Sequence, residues 1–191
     1  MKIFTDSTDP EIIERLQRGE VGVIPSDTIY GLMCIADNPE PVDLLYRLKQ
    51  RENKPGTLIG ANINQFITLG LDKDQLEQAN QYWPGPVSVV IPCDSTLNYL
   101  HLGKESLAVR IPAKPDLQQM LEQTGVLQTT SANVTKQPAA STLAEAQAYF
   151  GETVDFYVDG GDLSSRQPTT VIRIEDGVVE VLREGAQQVV S

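Results

Sequence analysis

Two spacings of apolar residues alternate along the chain. Residues 10–18 place Ile12, Ile13 and Leu16 at helical spacing, with Asp9 as N-cap, Pro10 in the first turn and Gly19 as the stop. Residues 21–24 follow as a short buried strand ending at Pro25. A second helix is predicted over 39–50, where Val42, Leu45 and Tyr46 form an apolar stripe. Further helices are predicted over 73–82, 115–124 and 142–150, and strands over 57–61, 87–91, 107–111 and 127–130. The C-terminal part turns β-rich, with strands over 156–158, 170–174 and 178–182 and an Asp176-Gly177 hairpin turn joining the last two. Strands alternating with helices before a terminal hairpin imply one domain over 1–191, an α/β protein with a twisted mixed sheet and helices on its faces.

Composition narrows the function classes. The chain has 191 residues, 40% of them hydrophobic, and a formal net charge of −11. An acidic chain repels a nucleic-acid backbone, so any bound anion must meet a local basic site. Cys34 and Cys93 stand far apart with no second ligand at metal spacing, which fits two buried thiols. The N-terminal residues lack the apolar core of a secretory signal, and no apolar run reaches membrane-spanning length; a soluble, cytoplasmic protein is expected. Neither a phosphate-binding Gly-x-x-x-x-Gly-Lys loop nor a Gly-x-Gly-x-x-Gly motif is present. His101, the sole histidine, has no motif around it and reads as a surface or capping residue.

Four segments rise above that background. Ser26-Asp27-Thr28 follows a buried strand, where open α/β sheets bind polar ligands, although the same residues also fit an Asp-capped turn. Arg47, Lys49, Arg51 and Lys54 put four of the 15 basic residues within eight positions. Cations at a helix C-terminus account for part of this, and an anion site for the rest. Arg110 interrupts an apolar strand; it needs a carboxylate from the protein or a ligand, unless the strand is an edge facing solvent. Thr129-Thr130-Ser131-Ala132-Asn133 makes a polar cup at a strand end, or a turn toward the next helix.

In series these segments resemble the threonylcarbamoyl-AMP synthase family, the YrdC-like proteins, from about residue 9 to Gly185. The resemblance rests on residues 25–32, Lys49-x-Arg51, Trp83-Pro84-Gly85-Pro86, Val109-Arg110-Ile111-Pro112, Ser131-x-Asn133, Pro168-Thr169-Thr170-Val171 and Leu182-Arg183-Glu184-Gly185. It implies a YrdC-like (DHBP synthase-like) fold, mostly parallel and mixed, with a concave face for the substrates. It implies that threonine, bicarbonate or CO2, and ATP become threonylcarbamoyl-AMP and pyrophosphate, feeding a separate complex that modifies the adenosine beside the tRNA anticodon. Thr28, Arg110, Thr129 and Thr169 would then hold threonine. Lys49, Arg51, Ser106, Ser131, Asn133 and Arg183 would hold ATP, with Lys49 and Arg51 as the catalytic cations. Mg²⁺ would arrive with the triphosphate, with no protein metal motif.

The chain departs from the family pattern at Ser26 (often Thr), near Gly60 (often a histidine that contacts threonine) and at Ala139 (often Ser). It resembles the short, single-domain bacterial type. A double-stranded RNA or ribosome-assembly module is the rival reading, and weak or absent tRNA binding is expected from the charge.

Overall fold

The computed structural model describes residues 1–50 and 54–189. Its strands are β1 (Lys2–Phe4), β2 (Gly22–Pro25), β3 (Tyr30–Ile35), β4 (Thr57–Ile59), β5 (Val87–Pro92), β6 (Ser106–Arg110), β7 (Leu127–Ser131), β8 (Phe156–Val158), β9 (Thr170–Glu175) and β10 (Val178–Arg183). The helices are α1 (Pro10–Gln17), α2 (Pro39–Leu48), α3 (Ile63–Leu69), α4 (Lys73–Ala79), α5 (Asn98–His101), α6 (Pro115–Thr124) and α7 (Leu143–Phe150). All ten strands join one sheet in the order β1-β8-β2-β3-β7-β4-β6-β5-β9-β10.

Local chemistry sets most of the helix starts. Asp9 accepts from the Glu11 amide at the start of α1, Asn38 from Glu40 at α2, Asp72 from Gln75 at α4 and Thr142 from Glu145 at α7. Prolines open α1, α2 and α6, where a missing N–H costs nothing. The helix expected over 73–82 ends at Ala79 and continues as a 3₁₀ turn through Tyr82. The predicted hairpin joins β9 to β10, with both turn residues, Asp176 and Gly177, at positive φ, the backbone of a tight two-residue turn.

Two features differ from expectation. Residues 25–32 do not run from strand into loop; only Ser26–Ile29 is a turn, and Tyr30 begins a central strand buried at all six positions. That short turn forces β2 and β3 to pair antiparallel. β3–β7, β4–β7, β5–β6 and β9–β10 are antiparallel as well, against parallel β1–β8, β2–β8, β4–β6 and β5–β9. The sheet is therefore evenly mixed rather than mostly parallel.

The two faces of the sheet are covered unequally. The larger core packs Val42 and Leu45 of α2, Phe66 of α3, Leu76 of α4, Leu100 of α5 and Phe150 of α7 against one face. The smaller core packs Ile12 and Leu16 of α1 and Leu117, Met120 and Leu121 of α6 against residues from β1, β8, β2, β3, β7 and β4 only. On that face β6, β5, β9 and β10 lack helical cover of this kind. The boundary between covered and open halves runs through Thr57 and Arg110.

Candidate active site

A cleft of about 380 Å³ opens at this boundary. Sheet register builds its floor: Met33, Thr129 and Thr57 lie side by side on β3, β7 and β4, with Arg110 at the end of β6. Its walls are the Ser26–Ile29 turn, residues 139–141 and the segment joining β8 to β9. Among the described residues the lining includes Lys54, Arg110, Arg166 and Arg183 and no carboxylate. In a chain of net charge −11 the cleft is thus a basic island.

At one end of the cleft, Arg110 is 3% exposed and meets the carboxylate its burial demands. Its Nη1 donates to both oxygens of Asp27, at 2.6 and 2.8 Å, and Ala113 N donates to Asp27 Oδ2 at 3.0 Å. This contact is end-on, through one nitrogen. Arg110 Nε, also buried, finds no acceptor among the described residues. A buried N–H left unpaired costs about 1–3 kcal/mol. Thr28 is turned the opposite way. Ser26 Oγ donates to Ile29 O at 2.7 Å, so the 3.0 Å contact between Ser26 Oγ and Thr28 Oγ1 uses the threonine proton. Thr28 Oγ1 therefore keeps lone pairs for a donor in the cleft.

The other end is built around Lys49, which is 3% exposed at the C-terminus of α2. Its Nζ donates to Ser131 O at 2.5 Å, to Ser131 Oγ at 3.1 Å and to Asn133 Oδ1. Ser131 Oγ donates in turn to Asn133 Oδ1 at 2.6 Å, while Asn133 Nδ2 donates to Val134 O and Gln137 O. Thr135 closes the tie by donating through both N and Oγ1 to Lys49 O. Lys49 and Asn133 are thus the buried frame of the turn, and Ser131 is the member that lines the cleft.

The third wall is a strap. β8 lies second and β9 ninth in the sheet, so residues 159–169 cross most of its width. Tyr30 pins the near end: its Oη accepts from Gly160 N at 2.7 Å and donates to Gly161 O at 2.9 Å. Burial pushes the Tyr30 phenol above its ordinary pKa, so the donating proton stays in place. Leu163 plugs the core, and Arg166 Nη1 donates to Ser26 O at 3.2 Å. At the far end Arg183 donates to Thr169 O (Nη2, 2.6 Å) and to Thr169 Oγ1 (3.0 Å), and Ser88 Oγ donates to the same hydroxyl at 3.2 Å. Thr169 is left with its own proton for a ligand. Desolvation lowers the pKa of Arg183 from its ordinary value.

The structure therefore gathers Thr28, Arg110, Thr129, Thr169, Ser131 and Arg183 around one cleft, with Lys49 and Asn133 directly behind it. Arg51 lies outside the described residues. Ser106 is not gathered: it opens β6, four residues before Arg110, and its Oγ turns to Lys104 O. Gly60 does not line the cleft; a Cβ there would lie 2.9 Å from the Phe66 ring, so the position has no room for a histidine. Ser141, two residues beyond Ala139, does line it and brings back a hydroxyl. His101 is buried, not at the surface. Its Nδ1 accepts from the Gly103 and Glu105 amides and Nε2 faces Asp94 O, which clasps a loop away from the cleft and removes a histidine-based hydrolase. The sequence offered Asp27 as a turn cap rather than as the partner of Arg110, and it did not single out Arg166. A charge expected to need a partner pointed toward the first, whereas nothing local marks the second.

A family model described as "Telomere recombination" (Sua5/YciO/YrdC) matches residues 14–185. The chain belongs to the Sua5/YciO/YrdC family. Among curated members, the threonylcarbamoyl-AMP synthase of Photobacterium profundum is 33% identical over 183 residues, 92% of this chain and 97% of that one. The Vibrio campbellii protein of the same name is 32% identical over 182 residues, with the same coverage. The structure of P. abyssi Sua5 with L-threonine superposes with a TM-score of 0.86 at 22% identity, over 97% of this chain. This family member spans 58% of that Sua5 chain, but nearly the full length of its curated bacterial relatives.

Proposed function

We propose that the protein is a threonylcarbamoyl-AMP synthase. It joins L-threonine, bicarbonate and ATP to give threonylcarbamoyl-AMP, pyrophosphate and water, for a separate cytoplasmic tRNA-modifying transferase. The reading is carried by the cleft, where two unlike ends meet with no carboxylate between them among the described residues. One end offers the unpaired Nε of Arg110, the acceptor face of Thr28 and the hydroxyls of Thr129 and Thr169. That set complements an amino acid with a side-chain hydroxyl: the guanidinium takes the carboxylate, and the hydroxyls take the amine and the side chain. The other end offers Ser131 over buried Lys49 and Asn133, and Arg183, bound to Thr169, lines the same cleft. We assign it to the triphosphate, with Lys49 and Arg51 as its cations.

The chemistry needs positioning more than covalent help. The threonine amine attacks the bicarbonate carbon and loses a proton; an N–C bond forms, the carbon–hydroxyl bond breaks, and water leaves to give a carbamate. A carbamate oxygen then attacks the α-phosphorus, and pyrophosphate leaves with the electrons of the broken P–O bond. Cations fixed along this path stabilise charge that develops on the phosphoryl oxygens and leaving group. Among the described residues the lining has no carboxylate to hold a metal, and no cluster of three or more metal-binding side chains occurs. Mg²⁺ is therefore assigned to the triphosphate rather than to the protein. The test is pyrophosphate release from ATP, bicarbonate and threonine: Lys49→Ala and Arg51→Ala each abolish it. Wild-type turnover in both variants would remove the assignment.

A further inference from the structure

The cleft holds a cation that the substrate assignment above does not use. Arg166 sits on the strap, lines the cleft, and has no ion-pair partner among the described residues; its hydrogen bond goes to a neutral acceptor, Ser26 O. The other guanidinium at this end, Arg110, is already paired with Asp27. The protein has 26 acidic residues, so a lining arginine without a carboxylate partner is a place where an anion is met by the ligand side of the cleft.

Position then selects among the anions. The bond to Ser26 O holds Arg166 over the Ser26–Ile29 turn, whose Ser26 Oγ touches Thr28 Oγ1. The strap is pinned on both sides of Arg166, by Tyr30 at Gly160 and Gly161 and by Thr169 at Ser88 and Arg183, so the guanidinium has little freedom to leave that end. Arg110, with its unpaired Nε, stands for the carboxylate, and the Ser131 turn and Arg183 stand for the phosphates. One anion is left: the planar one-carbon oxyanion that must lie beside the threonine amine. We infer that Arg166 binds bicarbonate, and then the carbamate formed from it. The two-donor edge of a guanidinium matches two oxygens of either species. In the step itself the amine nitrogen bonds to the bicarbonate carbon and water is released. The negative charge stays on the carbamate oxygens facing Arg166.

This inference rests on the synthase reading, and the experiment separates the two. Pyrophosphate release is followed in CO2-depleted buffer while bicarbonate, threonine and ATP are varied one at a time. No threonine-dependent release by the wild type sinks the synthase reading itself. With an active wild type, Arg166→Gln is expected to raise KM for bicarbonate at least tenfold, with KM for threonine and ATP within twofold. Arg166→Lys is expected to recover part of the loss. Arg166 is exposed, so both variants keep the wild-type melting temperature within a few degrees. An unchanged KM for bicarbonate overturns the inference. So does a selective rise for threonine or ATP, or an equal rise in all three, the signature of an arginine that only anchors the strap.

Discussion

At the scale of single residues, burial decides what each charged group can do. Arg110 and Asp27 are both nearly enclosed, with side chains 4% and 13% exposed. Removing one partner of such a pair leaves the other charge uncompensated, which costs about 3–5 kcal/mol. Asp27→Ala is therefore expected to lose about 3 kcal/mol or more in denaturant unfolding. Arg110→Met removes the charge, keeps much of the bulk, and raises KM for threonine at least tenfold with little effect on KM for ATP. An Arg110→Met enzyme with unchanged KM for threonine would contradict the carboxylate assignment. The sequence announced Arg110's need for an acid but could not choose between a protein and a ligand carboxylate; the fold supplies the protein one in Asp27. Asp27 takes one nitrogen, and Nε remains. Lys49 was legible as part of a cluster, and its place behind Ser131 was not, because that depends on β7 ending beside the C-terminus of α2.

At the scale of elements, the segments with strong periodicity and caps were legible to within a residue or two. α6 has the predicted limits, and α1 ends one residue early. The unread elements share a physical reason. β1 and α3 are only three and seven residues long, too short for a period to declare itself. β3 is buried on both faces and begins directly at a polar turn, so its apolar run carries no alternation and its start looks like loop. The strap is a further case: its course across the sheet follows from strand order, a long-range property. Close backbone approach fixes its far end, where a Cβ on Gly185 would lie 2.4 Å from Pro168 O and 2.5 Å from the Thr169 carbonyl carbon. Gly185→Ala must push Thr169 out of the cleft or shift β10. It is expected to cut kcat/KM for threonine about tenfold or more, the size of effect that misplacing a bound reactant produces. Unaltered kinetics in that variant would show that Thr169 does not set the threonine site.

At the scale of the whole molecule, charge is arranged against the global field. A chain of net charge −11 concentrates Lys54, Arg110, Arg166 and Arg183 in one cleft, which suits small anions more than a long polyanion. A tRNA would have to engage several cations on one face, so binding is expected to be undetectable at micromolar protein even in low salt. Tight binding that weakens steeply with added salt would instead favour the RNA-module reading. The half of the sheet without helical cover places this cleft on the open side of the fold, where substrates of different sizes can enter together. Composition alone could not have located it; residues from five of the seven resembling segments line it, those around Thr28, Arg110, Ser131, Thr169 and Arg183. The most direct measurement of the central claim is pyrophosphate release with ATP and bicarbonate across a panel of amino acids. Release that depends on L-threonine, falls sharply for serine and valine, and stops without bicarbonate is the predicted result. Release at the same rate without threonine would contradict the account.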